Sequence, residues 1–220
     1  PGRDIVHNKD GVMEWSGNAS DKLRKAMAEY FRGRNEDGHG VRIPSQVGDK
    51  DLGFVIVHFN YCGYKVLREN FRRMVERWSW LGDRLLVVEL AYGDSPFHMA
   101  GVHNNMVQVR ADSVMWHKEN LINIGMGKLR EQGFKNVGWL DGDIIIEGAD
   151  EKRYSKCVGS LDENNLVQVC ESIFMGFNDG NLSSRLSMAE YMVEGKDPWK
   201  CYTAGLGWVM GGDVWDNCPM

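Results

Sequence analysis

An α/β fold, with a mostly parallel central sheet flanked by helices, is predicted by three features of the sequence. Short apolar runs recur, segments with helical spacing lie between them, and polar or acidic residues follow the runs directly. The runs are Phe54–Phe59, Leu85–Leu90, Met106–Val109 and Val137–Leu140. Continuous apolar runs of this length, without polar alternation, suit strands covered on both faces. Between the first two, Tyr64, Leu67, Phe71, Met74, Val75 and Trp78 recur at helical spacing; between the last two, Met115, Ile122, Met126 and Leu129 do the same. Strand and helix therefore alternate, which predicts βαβ units with right-handed crossovers. Ligands of such sheets bind beyond the carboxyl ends of the strands, so the residues just after each run are the candidates for function.

The first fifty or so residues differ. One amphipathic helix is expected there, capped near Ser20 and carrying Leu23, Met27, Tyr30 and Phe31, followed by the polar, glycine-rich stretch Gly33–Gly40 and Pro44. We expect residues 1–50 to be an accessory segment and residues 51–220 the main domain. A chain of 220 residues with 43% hydrophobic content has enough apolar material for a sizeable core. It contains no apolar stretch long enough to span a bilayer, which leads to the expectation of a soluble, cytoplasmic protein. A formal charge of -5 argues against a nucleic-acid partner, which selects for a basic face. The five cysteines are scattered and lack C-x-x-C spacing, a pattern that fits reduced thiols better than a disulfide frame or a zinc site.

The sharpest signal is Val137-Gly-Trp-Leu-Asp-Gly-Asp-Ile-Ile-Ile146, which sets Asp141 and Asp143 where a parallel strand leaves the sheet. Two carboxylates around a glycine suit a hard divalent cation, with a diphosphate supplying further oxygens, and Gly142 would let a ligand approach the backbone. Such a cation would neutralise charge building on a leaving diphosphate. The same three residues also make an ordinary turn. Glu89, near the end of the second run, is an acceptor for a nucleobase or a ribose hydroxyl. After the first run, His58 and Asn60 stand at the mouth of the sheet beside the Gly63 turn, where they could meet a base. In the segment Asp112–Gly125, Trp116 and Lys118 fall near the start of a helix and Asn123 shares a face with Glu119. Lys118 suits a phosphate and Asn123 a nucleotide. Gly125 and Gly127 each cost about 1 kcal/mol inside a helix unless close packing requires them.

In combination, Val88-Glu-Leu-Ala-Tyr-Gly-Asp94, Trp116-His-Lys-Glu-Asn-Leu-Ile-Asn123 and Trp139-Leu-Asp-Gly-Asp-Ile144 resemble the ordered blocks of the GT-A nucleotide-sugar glycosyltransferases, over roughly residues 52–216. Within these they look like a small group that includes enzymes encoded by large DNA viruses of algae. The resemblance implies a Rossmann-like GT-A sheet and a Mn2+ or Mg2+ ion held mainly by Asp143, with Asp141 facing the ribose or the metal. It also implies a donor nucleotide-sugar, UDP-linked by preference, contacted by Glu89, Lys118 and Asn123. Thr203-Ala-Gly-Leu-Gly-Trp-Val-Met-Gly-Gly-Asp213 looks like the acceptor-side block of these families, with Trp208 against a sugar face and a glycan, glycoprotein or small hydroxyl compound as acceptor. The catalytic base that such families carry downstream falls here on Asp213 or Asp216, and the expected transfer is inverting.

Three other readings compete. A nucleotidyltransferase that makes nucleotide-sugars also places an acid at a strand end, but carries a glycine-rich, basic loop after its first strand, where this chain has only Gly63. A phosphatase of the haloacid dehalogenase type would place its Asp-x-Asp pair on the first strand. A catalytically silent domain that binds nucleotide-sugar or glycan would keep the fold and lack the base.

Overall fold

The computed structural model describes residues 48, 50–144, 146, 150–161, 166–170, 172–176, 182–193, 195–197 and 205–220. The helix expected from Ser20, the glycine-rich stretch after it and Thr203 lie outside them. In chain order the elements are β1 (Leu52–Phe59), α1 (Lys65–Trp78), a 3-10 segment (Ser79–Arg84), β2 (Leu85–Tyr92), β3 (Met106–Ala111), α2 (Lys118–Glu131), β4 (Asn136–Leu140), α3 (Glu151–Leu161) and β5 (Leu166–Gln168). They continue with β6 (Ser172–Gly176), β7 (Leu182–Leu186), α4 (Met188–Val193), β8 (Gly207–Gly211) and α5 (Gly212–Asn217).

All four apolar runs are strands, and the two helical-spacing segments are α1 and α2. Six strands form one sheet in the order β3-β2-β1-β4-β8-β5. β1, β2, β3 and β4 are mutually parallel, whereas β8 runs antiparallel to both β4 and β5. The strand order reverses at β1: β2 and β3 build to one side and β4 to the other. That reversal puts the ligand crevice of an open α/β sheet between the carboxyl ends of β1 and β4.

Helices cover both faces. On one, Phe71, Met74, Val75 and Trp78 of α1 and Tyr154 and Val158 of α3 pack on Phe54, Ile56, Leu85 and Val87. On the other, Leu121, Ile122, Met126 and Leu129 of α2 pack on Val55, Val57, Leu86 and Val88. β1 and β2 are buried on both faces, which is why neither shows polar alternation. β3, the edge strand, is only half-buried and alternates outward at Gln108 and Arg110. Tyr154 ties α3 to the sheet, its hydroxyl donating to Leu52 O (2.7 Å) and accepting from Leu52 N (3.1 Å).

The chain divides into two compact units, and this sheet belongs to the one formed by 42–169 and 205–220. Described residues of the other comprise the antiparallel hairpin β6–β7 and the short helix α4. Among the described residues no helix is long and apolar enough to cross a membrane. Cys62, Cys157 and Cys218 are free thiols, and burial pushes the pKa of Cys157 up to about 11; Cys201 lies outside the described residues.

Candidate functional site

The acidic pair stands at the mouth of the crevice. β4 ends at Leu140, and Asp141 to Ile144 form a turn closed by a long contact from Ile144 N–H to Asp141 O (3.5 Å). Asp141 is committed at three points. Its N–H donates to Leu206 O (2.7 Å), its Oδ2 accepts from Leu206 N–H (3.0 Å), and Lys118 Nζ lies 2.6 Å from its Oδ1. The lysine contact is a charge contact and not a directed hydrogen bond, since Oδ1 meets no donor at hydrogen-bonding angles. Leu206 adopts φ 81°, a left-handed conformation unfavourable for a leucine, and both backbone groups that hold it there go to Asp141.

Gly142 is glycine for packing. A Cβ there would stand 3.2 Å from Phe71 Cδ2 and 3.5 Å from Val57 O, so the turn lies against α1 and the end of β1. This corrects the expectation that the missing side chain serves ligand approach. Asp143 is exposed. The donor set does not suit a divalent cation shared by the pair: one Asp141 oxygen faces an ammonium, the other takes a backbone N–H, and Asp143 has no further carboxylate or imidazole clustered with the pair among the described residues. No cluster of three or more His, Cys, Asp or Glu side chains fit to hold a metal occurs among the described residues.

Lys118 reaches Asp141 because α2 begins at the mouth and runs away from it. The predicted helix starts late, so Trp116 precedes it and projects 68% exposed, with its ring 5.6 Å from Phe59 at an interplanar angle of 84°. Tyr92 at the end of β2 bridges Tyr61, 64% exposed (6.3 Å), and His117 (6.1 Å). The sequence points to an aromatic residue in His58-Phe-Asn-Tyr-Cys-Gly63 as a stacking group, while Tyr92 and His117 carry no expected role of their own. The signal for Tyr92 was an aromatic residue two positions past the second run.

Several expected site residues have other duties. Glu89 lies inside β2, three residues short of its end, and is 2% exposed. Its Oε1 accepts from the N–H groups of His98 (2.5 Å) and Met99 (2.9 Å), and its Oε2 from Gln108 Nε2 (2.9 Å). The carboxylate therefore anchors the loop after β2 instead of facing a base. Asn60 clamps the entry to α1: its Nδ2 donates to Tyr64 O (2.8 Å) and its Oδ1 accepts from Tyr64 N (3.0 Å). Asn123 donates to Met220 O and accepts from Met220 N (3.0 Å) and Trp215 Nε1 (3.3 Å), so its amide is spent on α5 and the residues after it and not on a nucleotide.

Asp213 and Asp216 are corrected most sharply. Because β8 is antiparallel to β4, Gly207 pairs with Leu140 and Gly211 with Asn136. Residues after Gly211 thus emerge at the opposite end of the strands from Asp141, roughly 13 Å of strand away. Asp213 lies in the first turn of α5, exposed, and Asp216 pairs with Arg130 (2.7 Å), which holds its carboxyl below the usual range. Neither reaches the crevice as a base. Trp208 is half-buried within β8 opposite Trp139, one residue in from the mouth.

His58 is buried, 6% exposed, against Phe71 (4.7 Å between ring centroids), and its Nε2 has no hydrogen-bond partner. Burial lowers its pKa to about 4; Glu89 opposes the shift, while His98, Arg68 and Arg72 add to it. At neutral pH it is uncharged, an aromatic packing group facing the α1 side and not an open contact for a base. Unfolding frees the ring to protonate near its ordinary value, so its contribution to stability is fully present above about pH 6.5 and is lost as pH falls to about 4. A shift of this size corresponds to about 3 kcal/mol. Chemical denaturation across that range should show the loss, and His58→Phe should flatten the profile.

No protein-family profile and no curated protein matches the sequence. Among solved structures, the chain is similar to the 4-diphosphocytidyl-2C-methyl-D-erythritol synthase of Anaerococcus prevotii, at 12% identity and TM-score 0.38, covering 76% of this chain and 74% of that one. Another structure of an enzyme of that name gives 12% identity, TM-score 0.38 and coverage of 76% and 77%. A UDP-glucose pyrophosphorylase variant of Leishmania major, bound to UDP-glucose, gives 8% identity, TM-score 0.32 and coverage of 91% and 64%. Likeness at this level assigns no activity to the chain. The sheet is of the class the sequence predicts, α/β and mostly parallel with flanking helices, and it has six strands among the described residues.

Proposed function

We propose that the crevice between β1 and β4 binds a nucleoside diphosphate-sugar, with a UDP-sugar preferred, and that the protein is a transferase acting on it. The observation that carries this reading is the convergence, at the switch point of the sheet, of the Lys118 ammonium with exposed aromatic side chains led by Trp116. An ammonium meets the diphosphate and an exposed ring offers a face to the base.

One reaction consumes this ligand and another forms it. Glycosyl transfer passes the sugar from UDP-sugar to an acceptor hydroxyl, releasing UDP and a proton, and an inverting enzyme needs a base for that proton. Nucleotidyl transfer joins a sugar 1-phosphate to UTP, releasing pyrophosphate; its nucleophile is already ionised at neutral pH and needs no base. Placement of Asp213 and Asp216 at the far end of the strands favours the second reaction, while the short β1–α1 loop, with Gly63 as its one glycine, favours the first. Both remain part of the proposal.

Calorimetric titration with UDP tests the site. Wild-type protein should bind, and Trp116→Ala should weaken binding roughly 5- to 100-fold, the range of lost base stacking. A folded protein that binds none of UDP, GDP and TDP overturns the reading. Supplying UTP with glucose 1-phosphate, and separately UDP-glucose with glycan acceptors, then distinguishes pyrophosphate release from UDP release.

A further inference from the structure

We propose that Lys118 takes, at Asp141, the place a divalent cation would take, so that a nucleoside diphosphate binds through the Lys118 ammonium without metal, and Asp141 is a positioning residue instead of a metal ligand. The inference rests on the nucleotide reading above and concerns how that site meets the diphosphate.

Both Asp141 oxygens already face a positive group or a donor. Oδ1 stands 2.6 Å from Lys118 Nζ, and Oδ2 accepts the Leu206 N–H. Turning the carboxylate outward to a metal would strip Leu206 of the acceptor that helps hold it at φ 81°, so ligation would oppose the packing of β4 on the start of β8. A residue at 205 larger than glycine would also crowd this carboxylate, since a Cβ there would lie 3.2 Å from Oδ2. The turn, the lysine and Leu206 form one closed arrangement around Asp141.

Lys118 is placed to use what remains. It is the first residue of α2, its side chain is 25% exposed against 16% for Asp141, and the ammonium carries three donors of which the carboxylate occupies one direction. A diphosphate entering from solvent therefore meets Nζ, with the partly positive amino end of a 14-residue helix behind it. Asp141 fixes the ammonium in one position, which removes side-chain entropy that a free lysine would lose on binding. Asp143, exposed and outside this arrangement, is left without a ligand's role.

The test is calorimetry with UDP in EDTA and in Mn2+, on wild type, Lys118→Met, Lys118→Arg, Asp141→Asn and Asp143→Ala, each checked by thermal unfolding. The expected result is equal affinity in the two buffers for wild type and Asp143→Ala, and a loss of at least about 10-fold in both buffers for Lys118→Met. Lys118→Arg, which keeps the charge, should stay within a few-fold of wild type. Asp141→Asn, which retains an acceptor for Leu206 but releases the ammonium, should fall between wild type and Lys118→Met. Binding that requires Mn2+ and disappears in EDTA overturns the proposal and leaves the nucleotide site intact, as does a gain of Mn2+-dependent affinity when Lys118 is removed. Absence of binding to UDP, GDP and TDP in either buffer overturns both.

Discussion

Glu89→Ala should destabilise the protein by about 3 kcal/mol or more. Three donors lose their acceptor: the His98 and Met99 N–H groups and the Gln108 side chain. Met99 is fully buried, so its N–H finds no water in exchange. Unpaired buried donors cost about 1–3 kcal/mol each, and hydrogen bonds to a charged group lie at the upper end of net contributions. At this chain length each kcal/mol moves the melting temperature by roughly 2–4 °C, so thermal unfolding should record a drop of roughly 6–12 °C. Glu89→Gln should lose less, because the amide keeps an oxygen for the two N–H groups and the Gln108 amide can turn to accept. A variant that melts like wild type but binds UDP poorly would return Glu89 to the nucleotide and contradict the anchoring role.

Gly125→Leu should be of similar severity for a different reason. A Cβ at this position would stand 2.5 and 2.8 Å from the two methyls of Val55 and 3.0 Å from Val88 Cγ2. These valines are central in the sheet and completely buried, so neither has room to give way, and α2 must lift from the sheet to admit any side chain. Overpacking of this kind costs about 1–3 kcal/mol for small additions, and a leucine exceeds that range. Gly125→Ala should be milder, because the gain in helix propensity of about 1 kcal/mol offsets part of the clash. Thermal unfolding of both variants gives the order wild type, alanine, leucine. Equal melting of all three would mean that α2 does not sit as close to β1 and β2 as described.

The architecture was legible because it rests on local pattern. Apolar runs covered on both faces and helical spacing between them identify β1, β2, β4, α1 and α2 without knowledge of any contact, and Gly125 was recognisable as a close-approach glycine from its cost in a helix. The place of the site was legible too, since the carboxyl ends of parallel strands follow from strand direction alone. What sequence could not supply was partnership over distance. Glu89 and His58 are adjacent partners on β1 and β2, and whether such polar groups face ligand or loop depends on residues 93–99 folding back over the strand ends. The same holds for Asn123, whose amide meets Met220 from 97 positions away. Asp213 and Asp216 were misplaced by one missing fact, the direction of β8: a parallel β8 would have delivered them to the mouth.

The direction and place of β8 bear also on the order in which the chain acquires structure. β8 lies between β4 and β5 although it follows β5 by about forty positions, so β5 has no neighbour in the sheet until residues 207–211 arrive. During synthesis β1 to β4 emerge first and pair with one another, leaving the outer side of β4 with unpaired N–H and C=O groups. An open, apolar strand edge of this kind is a template for pairing with another copy. Between release of β4 and release of β8 this edge is therefore open to misassembly.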